Sequence, residues 1–307
     1  MLAPFALLAL WQVPAAAPGS DSVARRTALV AAAIPDTAAA RAAGFVPLAF
    51  RRAADLSPFQ GQHWLHRPRV LGGGTDLERP SFVMFIPVKE AWRPVGLAYS
   101  VRIGHDEPTP SELGGVETPW HLHQLCRAIP GEGVALADGV DDCRARGGSP
   151  APRQLAMVHT WAGVPNPEGY YAHDNVALPY LATGLVPPTA LDLASPHGAR
   201  RVRALGLALG ETYGARMPYA RRVERTSSYA LLTDSLEAGR AKLRGLVPLL
   251  REAEKSGDAG RRRELAERAV AEWELLRRLY ERAAPTPEVR AQLERQHQRA
   301  LGEGHGH

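Results

Sequence analysis

The chain has 307 residues, 45% hydrophobic and 22% charged, a balance that excludes a wholly disordered chain and allows one large domain or two ordinary ones. Its net charge of +5 is unevenly spread: residues 1–195 carry 15 Lys/Arg against 17 Asp/Glu, and residues 196–307 carry 22 against 15. Lys89, Lys242 and Lys255 are the only lysines, so the basic excess is arginine on a C-terminal third, a pattern of solvated helical surface without a strong nucleic-acid signal.

Residues 1–15 read as a secretory signal peptide. Leu2 to Trp11 form a short apolar run, and Val13-Pro14-Ala15 place moderate or small residues at −3 and −1, predicting cleavage after Ala15. The run is too short to span a bilayer, and no later segment is long and apolar enough, so no transmembrane anchor is expected. No Cys follows the run, which excludes a lipoprotein anchor. The expected location is periplasmic or secreted. Residues 16–44 form an Ala-rich helical segment, either a helix pair or one helix kinked at Asp36.

Residues 45–186 are predicted to form a β-rich core domain. Phe82-Val83-Met84-Phe85-Ile86 suits a buried strand, and Val95, Leu97, Tyr99, Val101 and Ile103 alternate with small or polar residues. The stretch from Pro87 to Pro94 is assigned to the turn of an antiparallel hairpin. Glu117 to Leu125 and Gln154 to Ala162 are the next strands, with Pro/Gly/Asp-rich loops at 104–116 and 130–153. Residues 187–301 turn helical. A long helix is expected over 227–255 with a kink at Pro248. Asp258 is a good N-cap for the next helix, whose Leu265, Ala269, Trp273, Leu276 and Tyr280 share one face, and Thr286-Pro287 start another. Residues 302–307, Gly-Glu-Gly-His-Gly-His, read as a flexible tail. The fold class is therefore α+β: an antiparallel β-sandwich or cupin-like barrel core, with an N-terminal helix and a C-terminal helical segment.

Chemistry concentrates in Trp120-His121-Leu122-His123-Gln124-Leu125-Cys126 and in His159-Thr160-Trp161 through Asn166-Pro167-Glu168-Gly169 to His173. On an extended strand His121 and His123 point to one face, a geometry in which two imidazoles reach one ion. His159, from another strand, is the candidate third ligand of a mononuclear site, with His63, Glu117 and His173 as possible additional members. Glu117 shares strand parity with the pair, though Pro119 lies between. Imidazole ligands suit a divalent transition metal such as Zn, Cu or Fe without deciding which. Cys126 and Cys143, the only cysteines, favour a disulfide in an oxidising compartment; the alternative is Cys126 as a soft third ligand, against strand parity. H-E-x-x-H, G-x-S-x-G and P-loop signatures are absent.

Two resemblances rest on these residues. The paired histidines resemble the first cupin motif, but Arg127 and Ala128 stand where its glutamate belongs, and His173 falls one residue too far from Pro167-Glu168-Gly169 for the second. From about residue 44 to 180 the chain more closely resembles a group of exported bacterial proteins of unassigned function, through His63-Trp64, Trp120-His121-Leu122-His123 to Leu125-Cys126, and His159-Thr160-Trp161 with Asn166-Pro167-Glu168-Gly169. That resemblance implies no activity; it raises His63 as a site residue. Two functions fit: an exported protein with a His-based metal site that takes a small-molecule ligand, its reaction unassigned, or a non-catalytic envelope protein whose histidines are structural and whose basic helices dock a partner.

Overall fold

The computed structural model describes residues 20–302, except 51, 52, 55, 130–132, 138, 146, 218, 219, 221, 222 and 225. The expected signal peptide and residues 303–307 of the tail lie outside the described residues.

The Ala-rich N-terminal segment is a helix pair, α1 (Ser20–Ala32) and α2 (Thr37–Ala42). Asp36 does not merely interrupt the run. Its carboxylate accepts hydrogen bonds from the Ala38 and Ala39 amides and so starts α2. Val23, Thr27 and Ala31, four apart, form the buried stripe of α1.

The core is one curled antiparallel sheet flanked by helices at both chain ends. In chain order its strands are β1 (Val46–Pro47), β4 (Leu56–Ser57), β5 (Gly61–Leu65), β6 (Phe82–Val88), β7 (Ala91–Ile103), β10 (His121–Ile129), β11 (Gly133–Ala137) and β12 (Ser149–Thr160). Two small hairpins stand apart, β2 (Ala49–Phe50) with β3 (Ala53–Ala54), and β8 (Glu112–Leu113) with β9 (Val116–Glu117), and a short helix, α3 (Arg67–Gly72), lies between β5 and β6. The spatial order β1-β5-β6-β7-β12-β10-β11, with β4 also on β5, inserts the late strand β12 between β7 and β10. Trp64, Val83, Phe85, Leu97, Tyr99 and Val158 form the face covered by α1 and α2. Each such side chain, once buried, stabilises by roughly 1.5–3 kcal/mol.

Both prolines assigned to the β6–β7 turn are strand residues. Pro87 pairs with Trp92 and Pro94 with Phe85, and the turn contracts to Lys89-Glu90, with Lys89 at φ 55°. A register shift between Met84 and Phe85 accommodates Pro94, the usual condition for proline inside a sheet.

Cys126 of β10 is bonded to Cys143 of α4 (Val140–Ala145), and both are fully buried. The cross-link closes a loop of 17 residues' separation, so the fold gains about 3 kcal/mol. A Cys126→Ala/Cys143→Ala double variant should show that loss in its chemical denaturation midpoint. An unchanged midpoint would refute the assigned stabilisation.

The C-terminal helices are α5 (Leu178–Thr183), α6 (Pro196–Thr212), α7 (Ser227–Ala230), α8 (Thr233–Ser256), α9 (Ala259–Ala283) and α10 (Pro287–Ala300). Asp258 caps α9 through the Arg261 amide, and Thr286 caps α10 through the Val289 amide with Pro287 behind it. The helix expected over 227–255 is two helices. The break after Ala230 lets Tyr229 meet Arg240 at 3.2 Å, while α8 itself runs on through Pro248. Leu265, Ala269, Trp273, Leu276 and Tyr280 are buried as their spacing predicts, in a core that also takes Phe59 and Val176 from the sheet side. Part of the arginine excess is turned inward: Arg203 and Arg240 are buried on acidic partners. No helix among the described residues is long and apolar enough to cross a membrane.

Candidate metal centre

Register places the histidines on the sheet face opposite α1 and α2. His121 pairs with Met157 and His123 with Leu155, while His159, two residues beyond Met157, pairs with Ala98. Side chains two apart share a face, so all three rings project together from neighbouring strands. His63 lies opposite Met84 on β5 and belongs to the same face. The parity expected for His121 and His123 is therefore met. A register shift between Gln124 and Cys126 follows, and the Cys126 sulfur is committed to Cys143, which removes it as a ligand.

His173 arrives from the loop after β12. Trp161 donates its indole hydrogen to the Ala172 carbonyl at 2.7 Å, and its amide bonds the Tyr170 carbonyl. The Asn166 side-chain amide donates to the Asp174 carbonyl at 2.8 Å, and that of Asn175 donates to the Pro165 carbonyl at 3.1 Å. Gly169, at φ 116°, makes the turn between them. The Asn-Pro-x-Gly stretch thus folds the loop back over the sheet and delivers His173 to the other rings.

Ring centroids measure 4.4 Å for His121–His173, 4.9 Å for His121–His159, 5.0 Å for His121–His123 and 5.4 Å for His159–His173. His63 stands beside His159 at 5.5 Å. One ring nitrogen each from His121, His123 and His173 falls within 4.8 Å of the others, so this trio could hold a metal ion. His159, expected as the third ligand, packs directly against the trio, and His173, expected as an addition, is one of its members. Glu117 does not share a strand with the pair. Thr118-Pro119-Trp120 end pairing after β9, leaving Glu117 exposed in a separate hairpin.

Protonation is set by burial. His159 donates Nδ1–H to the His173 carbonyl at 2.8 Å, which leaves its Nε2 as a lone-pair donor. That Nε2, and the Nε2 of His121, are buried without a hydrogen-bond partner. Such atoms cost about 1–3 kcal/mol each unless something answers them. Burial, and then the neighbouring histidines, push His121 and His159 well below the ordinary imidazole value, and burial with His173 and His63 brings His123 to about 3. The rings are neutral at physiological pH, the form that binds metals.

Three residues that the sequence did not single out support His173: Asp174 and Gln60 touch its ring, and Arg203 holds Asp174. The His173 Nδ1 lies 3.1 Å from Asp174 Oδ1, which also accepts from the Gln60 amide at 3.1 Å. The Gln60 amide nitrogen lies 3.2 Å from each ring nitrogen. Arg203 donates to Asp174 Oδ2 at 3.3 Å and to Glu168 Oε1 at 2.5 Å. Burial alone would raise the Asp174 carboxyl, but the His173 hydrogen bond, the charges of His173 and Arg203, and the Gln60 amide outweigh it and hold the group ionised well below the usual carboxylate range. Asp174 was visible only as a neighbour of His173 in the chain; nothing local marks Arg203.

His66, His105 and His197 stay outside the cluster: His66 packs on Phe45, His105 bonds the Ala151 carbonyl, and His197 is exposed on α6. No family model, curated protein or solved structure matches the chain.

Proposed function

We propose that this chain is an exported metalloprotein whose β-rich domain carries one transition-metal ion on His121, His123 and His173, with His159 as a fourth imidazole in reach. The observation that carries the reading is the convergence of three ring nitrogens within 4.8 Å beside two buried, unanswered Nε2 atoms. Ligands about 2.1 Å from a common ion stand about 3.4 Å apart, so small side-chain movements complete the site. The donor set is imidazole nitrogen. It suits Zn, Cu or Fe and disfavours Mg and Ca, which take oxygen ligands. When bound, such an ion supplies Lewis acidity or redox chemistry to a small molecule or water.

His173 is exposed while His121 and His123 are half-buried, so the centre faces solvent on the side from which a small ligand would approach. His173 Nδ1–H against the Asp174 carboxylate is the carboxylate–histidine arrangement that fixes a ligand's tautomer and raises its basicity. The buried Cys126–Cys143 bond supports a location outside the reducing cytosol, and N-terminal sequencing of exported protein should begin at Ala16. Elemental analysis of protein recovered from the periplasm or medium is expected to find about one equivalent of Zn, Cu or Fe by the three-ligand stoichiometry. Finding none, together with no shift in melting temperature on adding Zn²⁺ or Cu²⁺, would overturn the proposal in favour of structural histidines.

A further inference from the structure

We infer that Arg203 is the positioning residue through which the C-terminal helical segment sets the metal affinity of the β domain. The inference rests on the metal reading above and extends it to control of the same site.

Arg203 lies on α6 and is 7% exposed. Its guanidinium divides among three separate parts of the chain. Nη1 donates to Asp174 Oδ2 at 3.3 Å and to the Ala300 carbonyl, at the end of α10, at 3.2 Å. Nη2 donates to Glu168 of the Asn166–Gly169 turn at 2.5 Å. The guanidinium carbon also sits over the Phe59 ring at 5.5 Å, one residue before Gln60, whose amide bonds Asp174.

The Asp174 carboxylate is thereby fully assigned: Oδ1 faces His173 and Gln60, and Oδ2 faces Arg203. A carboxylate held at both oxygens keeps one orientation, and with it the orientation of the imidazole it accepts from. His173 is the trio member on a loop, so its ring has no strand to hold it; the line His173–Asp174–Arg203 replaces that support with a helix. Without the guanidinium, Oδ2 loses its cationic partner and the carboxylate is free to turn. Its hold on His173 then weakens. Lysine does not substitute for arginine here, because a point charge cannot serve Asp174, Glu168 and the Ala300 carbonyl at once.

The test measures Zn²⁺ affinity by competition with a chromophoric chelator, on full-length chain, for wild type, Arg203→Lys, Asp174→Asn and the double variant. Arg203→Lys and Asp174→Asn are each expected to bind Zn²⁺ about 10–100-fold more weakly, with the double variant no weaker than Asp174→Asn alone. Co²⁺-loaded Arg203→Lys should show shifted ligand-field bands, which a change confined to helix packing would not produce. If Arg203→Lys fails to fold by circular dichroism, Gln60→Leu loosens the same carboxylate from its other oxygen and should weaken Zn²⁺ similarly. Wild-type affinity and unshifted Co²⁺ bands in the variants would overturn the role of Arg203 while leaving the metal centre standing. Fully additive losses in the double variant would overturn action through Asp174. Absence of Zn²⁺ binding by wild type would instead overturn the metal reading itself.

Discussion

His121→Ala is expected to remove stoichiometric metal and leave the protein folded. His121 is the hub of the cluster, with ring contacts to His123, His159 and His173 at 4.4–5.0 Å. Its Nε2 bonds nothing in the protein, so truncation breaks no hydrogen bond at that atom and relieves a buried polar group. The loss appears as missing ligand-linked stability. With metal at 1,000 times its dissociation constant, wild type should gain about 4 kcal/mol, several degrees or more in melting temperature, and His121→Ala nothing. His63→Ala provides the contrast. His63 meets the cluster through His159 at 5.5 Å and lies outside the trio, so its loss should leave one equivalent bound. Equal metal content in wild type and His121→Ala would place the ion elsewhere.

Acid should destabilise the metal-free protein steeply from about pH 6.5 downward, starting at the ordinary imidazole value. His121, His123 and His159 have folded-state values below the ordinary imidazole value, through burial first and neighbouring histidines second. Between those depressed values and 6.5 the unfolded chain binds protons that the folded chain refuses. Stability therefore rises with pH in that window and is lost as pH falls, at up to about 1.4 kcal/mol per pH unit for each histidine. For His123 the window reaches down to about 3. His297, packed on Trp273 and lowered to about 4 by burial and Arg277, contributes with the same sign from the helical side. Asp174 adds to the loss only at lower pH, since an ionised carboxylate stabilised by its partners is lost when protonated. Denaturation midpoints in chelator between pH 7 and 4 measure the slope. His123→Gln should flatten it by about 1.4 kcal/mol per unit. A midpoint that stays level over that range would show that these rings are not held neutral by the fold.

How much of this was legible in the sequence depended on the distance over which each contact acts. Strand parity is local, so His121 and His123 could be read as one face, with His159 only a candidate from another strand, and helix caps such as Asp258 and Thr286 were equally local. The Cys126–Cys143 bond followed from there being two cysteines in a chain read as exported. Glu117 failed because a single proline separates a strand from a hairpin, which alternation alone does not register. The turn at Lys89-Glu90 was hidden because Pro87 and Pro94 normally punctuate strands. His173 could be named but not placed, since its position depends on the loop fold of residues 161–177. Arg203 was beyond reach: its partners lie 29, 35 and 97 residues away, at Asp174, Glu168 and Ala300, with no periodic pattern linking them.

The trio is divided between unequal supports. His121 and His123 ride on β10, each paired with β12, whereas His173 sits exposed on a connecting loop. Local opening of a loop is far more frequent than unzipping of an interior strand. An ion held by the trio would then leave from the loop side: His173 would let go first, while His121 and His123 stay placed by β10. The residence time of the ion would count loop openings rather than the global stability of the sheet. Loop substitutions such as Asn166→Ala should accordingly speed chelator-driven release well before they lower the melting temperature, giving this centre a thermodynamic grip and a kinetic latch on different parts of the chain.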